Sequence, residues 1–315
     1  MVMITIDILG TKHAYELTSP TDSSTPVLVF IHGWLLSRSY WKPLIDRLVP
    51  DYQCLTYDLR GFGQSKLSSP EVENKLSKLN STLSITNTES QEETIKSASD
   101  VYTLASYGKD LGLLLQGLGI ERAWLVGHSL GGSIALWGAS LLPEQVLGVI
   151  CLNAGGGIYL KEEFERFRAA GEQLVKLRRR WLSYVPLLDL LFSRTQVASP
   201  LSRHWGRQRL IDFVTADTEA ALRSLLDSTT EAEVHRLPQV VSQLQQPAYF
   251  IAGTEDKVME PKYVRHLASF HHLFQGCGNN VIEIPGCGHF AMVEQPDAVN
   301  LQIRKILQDC SGTEN

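Results

Sequence analysis

The stretch WLVGHSLGGSIAL, residues 124–136, places a serine between an apolar run and a segment of small residues. Gly127, Ser129 and Gly131 form the pattern G-x-S-x-G. The apolar run is typical of a buried strand, and the small residues that follow are typical of a helix. We therefore predict a strand, a sharp turn and a helix in that order. Glycines around the turn avoid clashes that a Cβ atom would cause, and the helix N-terminus favours negative charge near the serine.

A reactive serine needs a base that takes its proton and an acid that orients the base. At a strand-to-helix turn of this kind, the chain order of the three groups is serine, acid, histidine. His289 lies in PGCGHF after the last predicted strand, and Asp256 lies in GTEDKV after the preceding one, with Glu255 as the alternative acid. The other position for an acid, after the strand 146–153, holds Asn153, and an amide stabilises an imidazolium less well than a carboxylate does. The sequence therefore predicts Asp256 as the acid and His289 as the base.

A reaction at the serine also needs N–H groups that bind a developing oxyanion. Leu130 directly follows the serine, and its backbone N–H is predicted to be one of them. We expect the second from Trp34, in the loop HGW after the predicted strand 26–32. Gly33 lets this loop turn closely, and we expect His32 to brace it by a hydrogen bond rather than to transfer a proton.

Other histidines are given no part in proton transfer. His128 precedes the serine, and we expect it to pack with its side chain directed away from Ser129. His271 and His272 fall on a predicted helix and are interpreted as surface residues. The five cysteines follow no spacing typical of a metal site, so no metal is predicted.

Strands and helices alternate along most of the chain, which indicates an α/β fold with a mainly parallel central sheet flanked by helices. The predicted strands are 2–9, 12–18, 26–33, 52–61, 122–127, 146–153, 247–254 and 280–286, and the predicted helices are 40–50, 102–120, 130–142 and 296–310. The first two strands are expected to form a hairpin.

Two stretches interrupt the alternation. Residues 64–100 are rich in polar residues and contain no aromatic residue, so we predict a disordered insertion. Residues 157–240 contain several helical segments, which we interpret as a helical cap over the carboxyl edge of the sheet. The core is then formed by 1–156 and 241–315. Within the cap, the segment 171–192 has three interpretations: a helix packed into the cap, a lid that lines an apolar tunnel, or a face that contacts a membrane surface.

The segments HGW, DLRGFGQS, GHSLGG, GTEDKV and GCGHF stand in the order found in the α/β-hydrolase superfamily, which the chain resembles over nearly its whole length. The resemblance implies a cap between the sixth and seventh sheet strands, and no cofactor. Haloalkane dehalogenases and epoxide hydrolases of this superfamily carry an aspartate where this chain has Ser129. The menaquinone-pathway lyase usually carries an arginine where this chain has Ser133, which counts against that activity.

The formal net charge is −5 and the pI is near 6.0, so no basic field favours nucleic acid as a partner. The N-terminus lacks the basic region of a signal peptide, and no apolar run has the length of a membrane span. We therefore expect a cytoplasmic protein.

Three hypotheses for the function follow from these residues. The first is a serine hydrolase that cleaves a carboxylic ester with a hydrophobic acyl or alcohol part through an acyl-enzyme intermediate. The second uses the same three residues in a lyase, a carbon–carbon bond hydrolase or a cofactor-free perhydrolase. The third is a non-catalytic binding module, against which the complete set of serine, acid and histidine argues.

Overall fold

The structure is a computed structural model that describes residues 4–20, 25–65, 100–155 and 161–311. The predicted disordered insertion, 64–100, lies outside the described residues except at its two ends. An eight-stranded sheet forms the centre of the described part. Its strands are β1 (Ile4–Ile8), β2 (Thr11–Leu17), β3 (Val27–Ile31), β4 (Cys54–Tyr57), β5 (Ala123–His128), β6 (Val146–Leu152), β7 (Ala248–Gly253) and β8 (Val281–Ile284).

The strand order is β1-β2-β4-β3-β5-β6-β7-β8. β1 pairs antiparallel with β2, and β2 pairs antiparallel with β4. The remaining neighbours are parallel, which places the carboxyl ends of β3 to β8 along one edge. The mainly parallel sheet, and with it the predicted fold class, is confirmed.

Helices cover both faces of this sheet and also form a separate group between β6 and β7. They are α1 (Lys42–Leu48), α2 (Leu104–Gly117), α3 (Leu130–Leu141), α4 (Lys161–Leu177), α5 (Leu188–Phe192), α6 (Arg203–Thr215), α7 (Thr218–Ser228), α8 (Glu231–Gln243), α9 (Pro261–Ala268), α10 (Ala291–Glu294) and α11 (Pro296–Ser311), with short 3₁₀ segments at Arg38–Trp41, Asp100–Tyr102, Arg180–Tyr184 and His272–Phe274. Helices α4 to α8 occupy the predicted cap region, and we call them the cap helices.

The apolar runs of the central strands are continuous because both faces of the sheet are buried. In β3, Val29 and Ile31 pack with residues of α2 and α3, whereas Leu28 and Phe30 pack with residues of α1 and α11 on the opposite face. All four side chains are fully buried. Burial of each such side chain contributes roughly 1.5–3 kcal/mol relative to its exposure, so the central strands form a rigid base for the loops at their carboxyl ends.

Among the described residues, no helix combines the length and the apolar character required to cross a bilayer.

Candidate active site

Ser129 lies at the sharp turn between β5 and α3 and has the backbone angles φ 51° and ψ −119°. A positive φ is rarely adopted by residues other than glycine and costs of order 1–3 kcal/mol. The turn is held by two backbone hydrogen bonds. The Ser129 N–H donates to the Leu152 carbonyl at 3.0 Å, and the Ser129 carbonyl accepts from Gly132 N–H at 2.9 Å. The predicted strand, turn and helix are therefore present, and the turn is strained at the serine.

Gly131 allows the turn to lie directly against the end of β3. A Cβ atom at Gly131 would lie 2.2 Å from the Ile31 carbonyl oxygen and 2.6 Å from that of His32. Because both neighbours are backbone atoms, only glycine fits. Gly127 has the same restriction, since its Cβ would lie 2.2 Å from the Gly131 carbonyl oxygen.

Asp256 and His289 meet at the carboxyl edge of the sheet, as predicted. The His289 Nδ1 lies 2.8 Å from Asp256 Oδ2, and both residues are buried. Asp256 Oδ1 accepts hydrogen bonds from the N–H groups of Val258 and Met259 at 2.8 and 2.9 Å. Burial acts to raise the pKa of Asp256, but the neighbouring His289 and these donors outweigh it and hold the pKa below its ordinary value. Asp256 is therefore ionised at neutral pH. The exposed Glu255 does not take this position.

Asn153 makes a contact that the sequence did not predict. Its side-chain N–H₂ donates to Asp256 Oδ2 at 2.9 Å and to the Gly288 carbonyl at 3.1 Å. Asn153 follows β6 with a positive φ of 50°, and β6 pairs directly with β7, which precedes Asp256. The alternative position for an acid thus holds a residue that orients the acid. The sequence shows only that the carboxylate is missing there.

Glu294 fixes the loop that carries His289. Its carboxylate accepts from the N–H groups on either side of the histidine, those of Gly288 at 3.0 Å and Phe290 at 2.9 Å. It also accepts from Ala198 N–H in the cap region at 2.8 Å. Nothing in the sequence pattern singles out Glu294, because its three partners come together only in the folded chain.

His128 lies between the serine turn and the histidine loop. Its Nε2 lies 2.8 Å from the His289 carbonyl oxygen, and the two imidazole rings are 4.9 Å apart. A Cβ atom at Gly33 would lie only 2.8 Å from His128 Nδ1. Burial, and then the neighbouring His289, lower the pKa of His128 to about 3, so its ring is neutral at neutral pH. Its side chain is buried as expected, but it packs against the predicted base.

The loop HGW is braced by His32 and attached to the cap helices by Trp34. His32 Nδ1 donates to the Gly33 carbonyl at 2.8 Å, because its Nε2 accepts from Leu59 N–H at 2.9 Å. Trp34 Nε1 donates to the Ala221 carbonyl in α7 at 2.8 Å. The loop is therefore held on both sides.

The two predicted oxyanion donors line the same cavity as Ser129 and His289. Leu130 is the first residue of α3, where backbone N–H groups have no partner within the helix. Within the described part of the chain, neither the backbone N–H of Trp34 nor that of Leu130 donates a hydrogen bond to another residue. Both groups are available to a ligand.

The cavity has a volume of about 210 Å³ and is mostly apolar. Its apolar lining includes Trp34, Leu35, Phe167, Leu174, Phe192 and Phe213. Ser129 and His289 lie at the sheet edge, and residues of the cap helices, of the loop after β3 and of the segment after β7 complete the lining.

Arg209 is a buried cation in this mostly apolar lining, and no motif in the sequence indicates it. Its guanidinium lies 4.1 Å from the centre of the Phe290 ring and donates to the carbonyls of Phe192 and Thr195 and to Gln196 Oε1. Burial lowers its pKa to about 10, so it remains charged at neutral pH.

Two further sequence predictions concern residues outside this cavity. His271 is buried rather than at the surface, because its Nε2 hydrogen-bonds to the Gln246 carbonyl at 3.0 Å, and its Nδ1 accepts from Leu273 N–H at the start of a 3₁₀ segment. Within the described ranges, no three His, Cys, Asp or Glu side chains are placed to hold a metal ion together.

Comparison with known proteins identifies the family to which this fold belongs. The model of the alpha/beta hydrolase fold family matches residues 26–296, and the chain belongs to that family.

Its relatives include esterases and enzymes with other activities. The chain is 25% identical over 296 residues to the 2-succinyl-6-hydroxy-2,4-cyclohexadiene-1-carboxylate synthase of Serratia proteamaculans, covering 93% of this chain and 98% of that protein. It is 26% identical over 291 residues to the pimeloyl acyl-carrier-protein methyl ester esterase of Xanthomonas axonopodis, covering 90% of this chain and 95% of that protein. The fold is similar to that of the esterase EaEST from Exiguobacterium antarcticum, with a TM-score of 0.72 at 15% identity, covering 98% of this chain and 100% of that one. Fold and family together support a hydrolase.

Proposed function

We propose that the protein is a serine hydrolase that cleaves carboxylic esters through an acyl-enzyme intermediate. The observation that carries this proposal is the arrangement at the sheet edge. A strained Ser129 and His289 line one cavity, and His289 Nδ1 is held by Asp256 at 2.8 Å. Because Asp256 occupies Nδ1, the other ring nitrogen is the one that serves Ser129 as base.

In the proposed reaction, Ser129 Oγ attacks the ester carbonyl while His289 Nε2 takes the hydroxyl proton. The negative charge moves to the carbonyl oxygen, which the backbone N–H groups of Trp34 and Leu130 bind. His289 then returns the proton to the leaving alcohol, and the acyl group stays on Ser129. Water, deprotonated by His289, attacks this ester, the bond between the acyl carbon and Ser129 Oγ breaks, and His289 returns the proton to Oγ as the acid is released. Asp256 holds the tautomer and stabilises the imidazolium in both steps.

A fluorophosphonate probe tests the nucleophile directly. We expect the probe to label the wild-type protein and to leave Ser129→Ala unlabelled, because only an activated serine attacks the phosphorus. Ser133→Ala is the matched control, since Ser133 lines the same cavity one helical turn further along α3. Intact-mass measurement reads out the label. Absence of label on the wild type would favour the binding-module hypothesis. Label that persists on Ser129→Ala would rule out Ser129 as the nucleophile.

The apolar cavity predicts a preference for esters with a hydrophobic part. We expect a nitrophenyl octanoate to be cleaved with at least about tenfold higher kcat/KM than the acetate, because each buried methylene contributes roughly 0.8 kcal/mol to binding. Phe213→Ala removes part of the apolar lining of the cavity and should reduce the ratio of kcat/KM for the octanoate to that for the acetate. A higher kcat/KM for the acetate than for the octanoate would contradict the proposed substrate class.

Arg209 favours a second candidate that retains the same three residues. A buried cation beside an apolar cavity can pair with a substrate carboxylate. A lyase or a carbon–carbon bond hydrolase that acts on an anionic substrate would use the Arg209 cation in this way. One relative is named as a carboxylate synthase. Probe labelling without turnover of any nitrophenyl ester would favour this candidate over ester hydrolysis.

A further inference from the structure

Large apolar side chains are exposed along one short part of the cap helices. They are Leu174, Leu177, Trp181, Tyr184, Leu187 and Leu191, with exposed fractions between 45% and 83%. These six lie within 18 residues, whereas five others are spread over the rest of the described chain. A patch of this kind is typical of an interaction site rather than of scattered surface residues. We call residues 174–191 the apolar rim.

The apolar rim and the segment that follows it carry a strong positive charge. Residues 174–208 contain one acidic residue, Asp189, and seven basic ones, Lys176, Arg178, Arg179, Arg180, Arg194, Arg203 and Arg207. Their net charge is 7 − 1 = +6, so the rest of the chain carries −5 − 6 = −11. Basic residues are therefore concentrated in the apolar rim and directly after it, whereas the rest of the chain is acidic overall.

Several of these cations are available to a partner. Asp189 is paired with Arg203 at 2.6 Å, and Lys176 is paired with Glu172 at 2.6 Å. Arg179, Arg180 and Arg194 are exposed, and none forms an ion pair with any residue that the structure describes. Exposed aromatic and aliphatic side chains flanked by arginines are the combination that binds at the headgroup level of an anionic bilayer.

The apolar rim is continuous with the cavity that contains Ser129. Leu174 is 45% exposed and also lines the cavity. Phe192, the last residue of α5, lines the cavity and follows the exposed Leu191. Apolar side chains therefore extend from the rim to the cavity that contains Ser129.

We propose that the apolar rim docks on the surface of a bilayer that contains anionic lipids, and that the ester substrate enters the cavity from this bilayer. The arginines bind the headgroups electrostatically, and Leu177, Trp181 and Tyr184 insert between them. The docking step stands on the exposed side chains and their charge. The entry of substrate rests on the function proposed above.

Vesicle sedimentation tests the docking step without any activity measurement. Wild-type protein is mixed at low salt with vesicles of phosphatidylcholine alone or with one-third phosphatidylglycerol. We expect at least tenfold stronger binding to the anionic vesicles, and a loss of most of that gain at high salt, because the attraction is screened. Leu177→Ser/Trp181→Ser and Arg179→Glu/Arg180→Glu should each weaken binding at least tenfold.

The matched control changes the same kinds of residue on α11. Leu301 is 63% exposed and Lys305 is also exposed, so Leu301→Ser/Lys305→Glu should bind as the wild type does. Thermal melting checks that each variant is folded. Any of three results would overturn the proposal. They are equal binding to both vesicle types, a loss of binding in the control equal to that in the rim variants, and a rim-dependent dimer that does not bind vesicles. Ser129→Ala should still bind vesicles, so loss of probe labelling and loss of docking are separate results.

Discussion

Replacing Asp256 with asparagine is expected to lower kcat/KM for an ester by about 10⁴-fold without unfolding the protein. The Asp256 carboxylate accepts four hydrogen bonds, two from backbone N–H groups on Oδ1 and two on Oδ2, from Asn153 and His289. An asparagine has one acceptor oxygen. If that oxygen keeps the backbone donors, its N–H₂ group faces two other donors, and His289 is driven to the wrong tautomer.

Glu255→Gln is the matched control for this prediction, since it makes the same chemical change at the neighbouring carboxylate. The Glu255 side chain is exposed, so we expect kcat/KM within about twofold of the wild type. Steady-state kinetics across pH 6–9 read out both variants, and circular dichroism verifies the fold. A large loss of kcat/KM in Glu255→Gln, together with a small loss in Asp256→Asn, would show that the acid is Glu255 and not Asp256.

Replacing Gly131 with alanine is expected to destabilise the protein by at least about 3 kcal/mol or to prevent folding. This cost lies at the upper end of the range for overpacking. The added methyl group would lie 2.2 Å from the Ile31 carbonyl oxygen. That oxygen cannot move aside, because β3 pairs with β4 on one side and with β5 on the other. The turn would therefore have to leave the sheet edge, and activity would be lost with it.

Gly112→Ala is the matched control, because Gly112 also lies in a helix of the core. A Cβ atom at Gly112 would lie 3.1 Å from the Leu142 side chain, which can adjust, and alanine is preferred over glycine in helices by about 1 kcal/mol. We expect its melting temperature to equal or exceed that of the wild type. If Gly131→Ala melted at the same temperature as Gly112→Ala, the close contact between turn and strand would be refuted.

The strands, the serine turn and the meeting of Asp256 with His289 were predictable because each depends on a local pattern. Continuous apolar runs indicate strands buried on both faces, and parallel strands bring their carboxyl ends to one edge. Two residues that follow neighbouring strands must then lie close together. Once β7 and β8 were identified as the last two strands, the contact between these residues followed from the topology.

The contacts of Asn153, Glu294 and Arg209 were not predicted, because no motif in the sequence assigns a partner to these side chains. Asn153 reaches Asp256 across 103 residues, and Glu294 reaches Ala198 across 96. Asn153 and Asp256 follow the neighbouring strands β6 and β7, so the topology brings them together, but no residue pattern marks the amide as the partner of the carboxylate. His271 was misplaced for the same reason, since its partner, the Gln246 carbonyl, is 25 residues away.

The sequence by itself determined the strand order along the chain, the turn at Ser129 and the residue types available for proton transfer, because these depend on local composition and on chain order. Only the tertiary structure decided which groups hold those residues in place and what surrounds them. The cavity, the cation at Arg209 and the apolar rim are products of how the cap helices pack above the sheet. Such packing is determined by the summed burial of many side chains, which no single motif contains.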